Sequence, residues 1–300
     1  MKLTGSDIHL LSVFDSVVRN SGFSAAQVEL GLSQPTISNH ITALEQRLGV
    51  KLCQRGRRGF LLTEKGRMVH EIGQALLESL NVQSAHLAEL KGNLVGRLRV
   101  GVVDCVNTDA NCRLPVAIRH LAEQAPAVRI ELTILGPQDI LTGVMDGSLH
   151  VGLGSFDNVV AGLRFADLYS EDHALYCAQG HPLFARADHD LSAADLRPYA
   201  RVHRSYWNRQ RRKAVNLAEQ DRFVHEIEAQ LLMVLSGAYL GLLPVHLAAP
   251  RLADGRLRRL RYTQDDYACA MQMVTRAGRP PKVIELFTRL LKEAHEGVQN

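Results

Sequence analysis

The spacing of apolar residues predicts that the first part of the chain is mainly helical. Apolar residues recur at three- and four-residue steps from Ile8 to Arg19, and again between Ser24 and Glu45. Gly31 interrupts the second stretch, and glycine accepts the left-handed backbone that commonly ends a helix. The pattern therefore predicts a supporting helix followed by two helices that are joined by a tight turn.

Each helix of this pair has a serine near its start. Ser24 is expected to cap the first helix and Ser33 the second, in which Pro35 lies in the first turn, where a missing N–H costs nothing. The buried stripes are expected to be Ala25, Ala26, Val28 and Leu30 in the first helix, and Ile37, Ile41, Leu44 and Leu48 in the second.

The opposite face of the second helix carries short, uncharged hydrogen-bonding side chains. Such side chains suit the base edges in the major groove of DNA, and the two helices fit a helix-turn-helix. The alternative is an ordinary helical hairpin with a solvated polar face. The residues expected to contact DNA from these helices are Ser24, Ser33, Gln34, Pro35, Thr36, Ser38, Asn39 and Thr42.

A basic segment follows the second helix. Seven Lys and Arg residues and one acid lie from Arg47 to Arg67. Two short strands around a glycine-flanked tip predict a wing in this segment. We expect Arg55, Arg57 and Arg58 to contact phosphate groups or the minor groove, and the alternative is a solvated surface.

A long amphipathic helix is predicted from its cap, Thr63, to about Lys91. At about 1.5 Å per residue, it would be on the order of 40 Å long, and a small winged domain cannot cover a stripe of that length. The stripe favours a dimer through a second copy of this helix, whereas the alternative is packing on the following domain. Its members are Val69, Ile72, Leu76, Leu80, Leu87 and Leu90.

Beyond Gly92 and Gly96 the pattern changes to alternating strands and helices. This alternation predicts right-handed βαβ units and a mostly parallel sheet, in two small α/β lobes, with the C-terminal segment returning to the first lobe. The predicted strands 98–103, 128–135 and 151–154 alternate with the helices 114–123 and 138–146, and the segments 168–177, 199–203, 224–235, 238–244, 268–276 and 282–294 follow.

Composition and charge narrow the class of protein. The 300 residues are 46% hydrophobic and carry a net charge of +4, which suits two or three domains and permits DNA binding. Five cysteines without C-x-x-C spacing favour free thiols in a reducing compartment and give no support to a zinc site. The start does not resemble a signal peptide, and no apolar run approaches about 20 residues, so we expect a soluble, cytoplasmic protein. Because hydrolase, metalloprotease and P-loop motifs are absent from the sequence, we expect neither enzyme activity nor a cofactor.

The run FSAAQVELGLSQPTISNHITALEQRLGVKLCQR, which begins at Phe23, and LLTEKG, which ends at Gly66, resemble the N-terminal signature of the LysR-type transcriptional regulators. The chain departs from that signature at Gln27, where a small residue is usual, and at Asn39 and His40, where Arg-Gln is common. Asparagine favours adenine where arginine favours guanine, so Asn39 is expected to change the base preference.

The rest of the chain resembles the effector domain of the same family, which is similar to periplasmic solute-binding proteins. The segments DILTGVMDGSLHVGLG (139–154), GHPL (180–183) and GLLP (241–244) carry this resemblance, although Tyr239 stands where glycine is frequent. The resemblance implies a winged helix-turn-helix domain (1–62), a linker helix (63–92) and an effector domain (93–300) with lobe I at about 96–164 and 268–300 and lobe II at about 165–267. It also implies operator DNA, a small-molecule effector and RNA polymerase as partners, and a homodimer or homotetramer.

The resemblance places the ends of several loops around an effector cleft. Asp104 replaces the Ser or Thr that is usual there, and together with Glu226 or Glu228 it favours an amine-bearing effector. The six Lys and Arg residues between Arg201 and Lys213 instead favour an anion, so the charge of the ligand stays open. The residues expected to line the cleft are Asp104, Cys105, Asn107, Thr108, Ser155, Phe156, His203, Tyr206, Trp207 and Glu226.

Two other functions compete with this interpretation. A redox-responsive regulator would use effector-domain cysteines such as Cys105 and Cys112, but free buried thiols are the simpler explanation. An architectural DNA-binding protein would have no use for the two α/β lobes.

Overall fold

The chain divides into two compact units, Met1–Lys91 and Gly92–Asn300. The computed structural model describes residues 2–56, 59–89, 94–157, 159–186, 191–205, 218–262 and 264–297. No helix among these residues has the length and apolar character needed to cross a membrane.

The N-terminal unit is a winged helix-turn-helix, as the sequence predicted. A two-stranded antiparallel hairpin follows three helices, and a long helix completes the unit. The elements are α1 (Gly5–Arg19), α2 (Phe23–Leu30), α3 (Gln34–Leu48), β1 (Cys53–Gly56), β2 (Gly59–Leu62) and α4 (Glu64–Glu89).

The predicted caps are correct for α3 and α4 but wrong for α2. Ser33 caps α3 and accepts a hydrogen bond from the Thr36 N–H at 3.4 Å, while Thr63 caps α4 through the Gly66 N–H at 2.8 Å. Helix α2 begins at Phe23, after Gly22, so Ser24 lies inside the helix. The buried Phe23 ring packs edge-on against Phe60, and the chain enters the helix two residues earlier than a Ser24 cap would allow.

The apolar stripe predicted for α2 is also only partly correct. Ala26 is buried and Leu30 is half-buried, but Ala25 is exposed and the Val28 side chain is 90% exposed. Helix α2 has eight residues, and only one narrow side of so short a helix meets α1 and α3. In α3 the predicted stripe is correct, because Ile37, Ile41 and Leu44 are buried and Leu48 is half-buried.

Helix α4 divides its apolar stripe between the core and the surface. Val69 and Leu76 pack against the core of the N-terminal unit, and Gly73 meets Leu11. At Gly66 a Cβ atom would lie 1.9 Å from the Leu52 carbonyl oxygen, so only glycine allows α4 to start this close to the wing. Ile72 and Leu87 are 65% and 64% exposed, and Leu80 is also exposed. Leu90 and Lys91 lie outside the described residues.

The C-terminal unit is built on one nine-stranded mixed sheet with helices. The strand order is β4-β3-β5-β11-β6-β9-β7-β8, and β10 pairs with β6. The strands are β3 (Gly96–Val102), β4 (Val128–Ile134), β5 (Val151–Gly154), β6 (Leu163–Ala178), β7 (Arg201–Arg204), β8 (Arg222–Val224), β9 (Leu240–Pro244), β10 (Leu257–Arg259) and β11 (Tyr267–Arg276). The helices are α5 (Leu114–Gln124), α6 (Pro137–Asp146), α7 (Ala193–Leu196), α8 (Ile227–Leu235), α9 (Val245–Ala253) and α10 (Lys282–Glu296).

Two long strands run through the whole of this unit. Strand β6 has 16 residues rather than the ten predicted from Leu168, because its first part pairs antiparallel with β11 from Leu163 onward. One apolar core lies around β3, β5, α5 and α10, and another lies around the second half of β6, β9 and α8. The C-terminal segment therefore returns to the first core, as expected, by placing β11 between β5 and β6.

Candidate DNA interface and effector site

The outer face of α3 carries the predicted neutral polar surface. Gln34, Pro35, Asn39 and Thr42 are exposed, and Thr36 and Ser38 are half-buried. The Ser33 and Thr36 hydroxyls lie 2.8 Å apart, and Thr42 Oγ1 donates to the Ser38 carbonyl at 2.9 Å. These hydroxyl groups are therefore engaged locally, and the amides of Gln34 and Asn39 offer the more adaptable donors and acceptors on this face. Ser24 is exposed on α2.

An ion pair joins the last turn of α3 to the first turn of α1. Arg47, in the last turn of α3, donates to the buried carboxylate of Asp7 in α1, with Nε and Oδ1 2.6 Å apart. The N–H and the hydroxyl of Thr4 both donate to Oδ2 of the same carboxylate, each at 2.7 Å. The hydrogen bonds from Arg47 and Thr4 lower the pKa of Asp7 to about 2. The sequence pattern gave no sign of this pair, because its members are 40 residues apart.

A second buried acid holds the turn that leads into the wing. Glu45 accepts hydrogen bonds from the Leu52 N–H at 2.9 Å and from Lys51 Nζ at 2.6 Å. Burial alone would raise the pKa of Glu45, but these hydrogen bonds outweigh it and lower the pKa. Arg47 and Lys51 are thus neutralised by carboxylates, which leaves less positive charge for DNA than the sequence count indicates. Arg55 lies in β1, and Arg57 and Arg58 lie outside the described residues.

In the C-terminal unit, the loop after β3 meets the start of α8. Asp104 Oδ2 accepts a hydrogen bond from the Ile227 N–H at 2.5 Å, and Cys105 has a left-handed backbone with φ of 61°. Glu228, in the first turn of α8, shares hydrogen bonds with the side chains of Asp104 and Cys105. Glu226 precedes the helix as an exposed residue without a side-chain cap. Of the two glutamates considered from the sequence, it is therefore Glu228 that joins Asp104.

The carboxyl groups of Asp104 and Glu228 share a proton below about pH 6. Burial, and then the neighbouring Glu228 carboxylate, raise the pKa of Asp104 to about 6 against the opposing effect of the Ile227 N–H. Burial would raise the pKa of Glu228 as well, but hydrogen bonds from its own N–H and from Asp104 lower it. The proton therefore resides on Asp104. Burial and Glu228 also raise the pKa of the Cys105 thiol, which keeps it protonated.

A second polar cluster lies where β6 and β11 pair. The buried Glu171 carboxylate has Oε1 3.0 Å from His246 Nε2 and Oε2 3.2 Å from His173 Nε2. Tyr267 stacks on the His173 ring with their centroids 4.4 Å apart. Arg204 Nη2 lies 2.8 Å from His173 Nε2 and donates to the Tyr267 hydroxyl at 2.9 Å. None of these residues was predicted. Glu171 and His173 are neighbours on one face of β6, but the other three come from distant parts of the sequence.

His203 occupies a different position from the one predicted. Its Nε2 lies 3.0 Å from Asp221 Oδ2 in a buried pair, and burial lowers the pKa of this histidine. Adjacent residues in a strand point to opposite faces, so Arg204 of the same strand contacts His173 while His203 faces Asp221. Strand alternation alone cannot tell which of two neighbouring polar residues faces a site.

The other predicted effector residues have mixed surroundings. Asn107 and Thr108 are exposed, and Thr108 Oγ1 lies 2.8 Å from His246 Nδ1. Ser155 and Phe156 are half-buried, and the Phe156 ring packs at an angle on Phe165, so it belongs partly to the first apolar core. Tyr206, Trp207 and much of the basic run that ends at Lys213 lie outside the described residues.

Comparison with known proteins identifies both parts of the chain. Residues 8–67 match the bacterial regulatory helix-turn-helix protein family, lysR type, and residues 91–296 match the LysR substrate binding domain. The chain is 39% identical to the HTH-type transcriptional activator BauR of Pseudomonas aeruginosa, over 93% of this chain and 92% of that protein. It is 32% identical to a probable hydrogen peroxide-inducible genes activator of Mycobacterium xenopi, over 58% of this chain and 90% of that protein.

A solved structure with a similar fold matches most of the chain. The crystal structure of full-length CbnR complexed with its target DNA superposes with a TM-score of 0.65 at 23% identity, and the match covers 96% of this chain and 99% of CbnR. The expected fold class is therefore confirmed. With both family matches and the similarity to BauR, the chain belongs to the LysR family of DNA-binding transcriptional regulators, which carry an effector-binding domain.

Proposed function

We propose that this regulator binds its operator as a dimer through α3 and the wing, and that an amine-bearing metabolite in the C-terminal unit sets its activity. The observation that carries the effector assignment is the concentration of carboxyl groups along the loop after β3. Asp104 and Glu228 share a proton there, and Asp109 of the same loop is buried beside Glu171.

The charge balance of this region supports an amine. The described side chains that surround the loop include four carboxyl groups, from Asp104, Asp109, Glu171 and Glu228, and one buried guanidinium, from Arg204. An ammonium group that donates to both Asp104 and Glu228 would replace the proton that they share. Binding should therefore release protons below about pH 7, because the pKa of Asp104 is about 6.

Asp104 by itself does not require a cationic ligand, because its carboxyl group already accepts the Ile227 N–H at the start of α8. The assignment of an amine therefore depends on the pair of carboxyl groups from Asp104 and Glu228.

A thermal-shift screen of amines, amino acids, dicarboxylic acids and aromatic acids tests the effector class. We expect amine-bearing compounds to raise the melting temperature, and expect Asp104→Asn and Glu228→Gln to abolish that shift. Glu226→Gln is the matched control, since Glu226 is an exposed carboxylate from the same segment. If acids without an amine stabilise the protein and Asp104→Asn leaves their effect intact, the amine assignment is wrong and the basic run from Arg201 to Lys213 becomes the site to test.

The exposed apolar residues of α4 support the dimer. Ile72, Leu80 and Leu87 form an exposed apolar row, whereas Val69 and Leu76 of the same helix are used by the core of the N-terminal unit. Burial of such a row against a second copy of α4 would stabilise the dimer by about 25 cal/mol for each Å² of apolar surface that is removed from water. We infer that α4 is the dimer contact, that the DNA-bound form is a homodimer or a homotetramer, and that it acts on RNA polymerase.

The redox alternative has less support from the surroundings of the thiols. Burial raises the pKa of Cys105, Cys112 and Cys177, and the thiolate is the form that reacts with oxidants. Replacing both Cys105 and Cys112 by Ala should leave the transcriptional response unchanged in cells treated with hydrogen peroxide. If the response disappears in this double variant, the result would support the redox alternative.

A further inference from the structure

Three side chains from distant parts of the C-terminal unit converge on one point. Asp109 lies in the loop after β3, Glu171 lies in β6, and His246 is the second residue of α9. The carboxylate oxygens of Asp109 and Glu171 and one ring nitrogen of His246 all lie within 4.8 Å of one another. Asp109 and Glu171 are 7% and 5% exposed, so both carboxyl groups are largely withdrawn from water.

A hydrogen bond to Thr108 favours one tautomer of His246. When the Thr108 hydroxyl donates to the Cys105 carbonyl, 2.9 Å away, it accepts from His246 Nδ1, which lies at 2.8 Å. With the proton on Nδ1, the lone pair of Nε2 points at the carboxylates. Such a hydrogen bond at the second ring nitrogen is the usual way in which a protein orients a metal-binding histidine.

The orientation of His246 creates a place for a cation. Nε2 lies 3.0 Å from Glu171 Oε1 and 3.7 Å from Asp109 Oδ2, and the second distance is too long for a hydrogen bond. A proton on Nε2 would compensate Glu171 only, whereas a metal ion between the three atoms would compensate both acids. Ligand atoms around a tetrahedral Zn²⁺ lie about 3.4 Å apart, and the two observed distances fall on either side of this value.

Neighbouring groups hold the two carboxylates in place. Asp109 Oδ1 accepts from the Asn111 N–H at 2.8 Å, which directs Oδ2 toward His246. The other oxygen of Glu171 lies 3.2 Å from His173 Nε2 and 3.8 Å from Cys269 Sγ. Supporting hydrogen bonds of this kind are characteristic of metal ligands.

We propose that Asp109, Glu171 and His246 form a binding site for a divalent first-row transition-metal ion such as Zn²⁺. One nitrogen and two carboxylate oxygens are a donor set that suits this class of ion, and three protein ligands leave coordination positions for water or another small molecule. The ion would connect the loop after β3 with β6 and α9, and so would join the parts of the unit that belong to the two apolar cores.

Isothermal titration of chelator-treated, full-length protein with Zn²⁺ tests the site. We expect about one ion per chain, and at least about tenfold weaker binding in His246→Gln and in Asp109→Asn. Thr108→Val removes the acceptor that fixes the tautomer and should weaken binding by about 10- to 100-fold, while Thr108→Ser retains the hydroxyl and should bind as the parent does. Titration with Co²⁺ should give visible absorption bands that His246→Gln abolishes.

His70→Gln is the matched control for these variants. His70 Nε2 also lies 3.0 Å from a carboxylate, that of Asp15, but both residues belong to the N-terminal unit. We expect this variant to bind Zn²⁺ normally. Asp104→Asn should also leave Zn²⁺ binding unchanged, which separates the ion from the proposed amine.

Two results would overturn the metal site. One is the absence of Zn²⁺ and Co²⁺ binding to the parent protein. The other is binding of equal strength in the parent, His246→Gln and Thr108→Val. Melting curves recorded without metal identify any variant that fails to fold. If His246→Gln is one of them, the affinities of Asp109→Asn and Thr108→Val for Zn²⁺ test the site instead.

Discussion

The polar surface of α3 and the polar cluster of the C-terminal unit are built in opposite ways. The α3 surface consists of neutral amides and hydroxyls from consecutive turns of one helix, and most of them are exposed. The cluster around Glu171 consists of charged or titratable groups from β6, β7, β11, α9 and the loop after β3, and most of them are buried. An exposed neutral surface can be changed with little effect on stability, whereas each member of a buried charged network depends on its neighbours.

The two regions also differ in the contacts that hold their side chains in position. The α3 surface depends on contacts at its far end, where Arg47 and Asp7 fix the helix against α1. The buried cluster fixes itself through its own hydrogen bonds. We therefore expect substitutions on α3 to change the DNA sequence that is preferred, and expect substitutions in the cluster to change stability and ligand response together.

Loss of the dimer should have the largest effect on the DNA surface. Ile72→Glu with Leu87→Glu places charges on the exposed row of α4 without touching the core of the N-terminal unit. We expect monomers by light scattering and at least about a hundredfold weaker operator binding, because half of the phosphate and base contacts are lost. Glu71→Gln on the same helix is the control. A dimer of normal affinity would place the subunit contact elsewhere.

Asn39→Arg should change sequence preference on the α3 surface. Arginine pairs with guanine where asparagine pairs with adenine, and the preference at one base pair should shift by about 1–3 kcal/mol. Selection of bound sequences from random DNA measures it, with Gln46→Ala near the end of α3 as the control. An unchanged profile would remove Asn39 from the residues that contact bases.

Arg57→Ala tests the wing. Loss of one phosphate contact should weaken binding to all sequences alike and reduce the slope of log affinity against log salt by about one. Binding measured at several salt concentrations, on operator and on random DNA, provides both values. If the sequence preference changes while the slope stays constant, Arg57 contacts a base.

Asp104→Asn should have the smallest effect in kcal/mol and should stabilise the protein. The pKa of Asp104 rises from 3.8 to about 6 on folding, so ionisation costs stability as the pH increases through this range. The variant avoids a cost on the order of 1 kcal/mol, after allowance for partial exposure of the group. Its melting temperature should exceed that of the parent above pH 6 and equal it below pH 4, and a difference independent of pH would contradict the shared proton.

The sequence predicted those features that depend on near neighbours. Gly31, Ser33 and Pro35 act within one helical turn, so the turn and the cap of α3 could be derived from their positions. The prediction that Ser24 caps α2 was wrong, because Phe23 is positioned by Phe60, which is far away in the sequence.

The effector region could be predicted only in outline. The loop after β3 was identified because it follows a buried strand, but its partner, Glu228 rather than Glu226, depends on the orientation of the first turn of α8. Glu171, His246 and Arg204 were not predicted, because contacts between side chains 31 to 75 residues apart leave no periodic signal. The ion pair between Asp7 and Arg47 was missed for the same reason.

The central position of β11 has a consequence for synthesis of the chain on the ribosome. Strand β11 lies between β5 and β6 but is the last strand in the sequence, so the sheet of the C-terminal unit stays divided until the final residues emerge. The N-terminal unit is complete by Lys91. At about 5–20 residues per second, it would precede the finished sheet by roughly 10–40 seconds. We therefore expect ribosome-bound chains that are arrested before Tyr267 to have a protease-resistant N-terminal unit and a protease-sensitive remainder, and equal resistance of both parts would show that the sheet forms without its central strand.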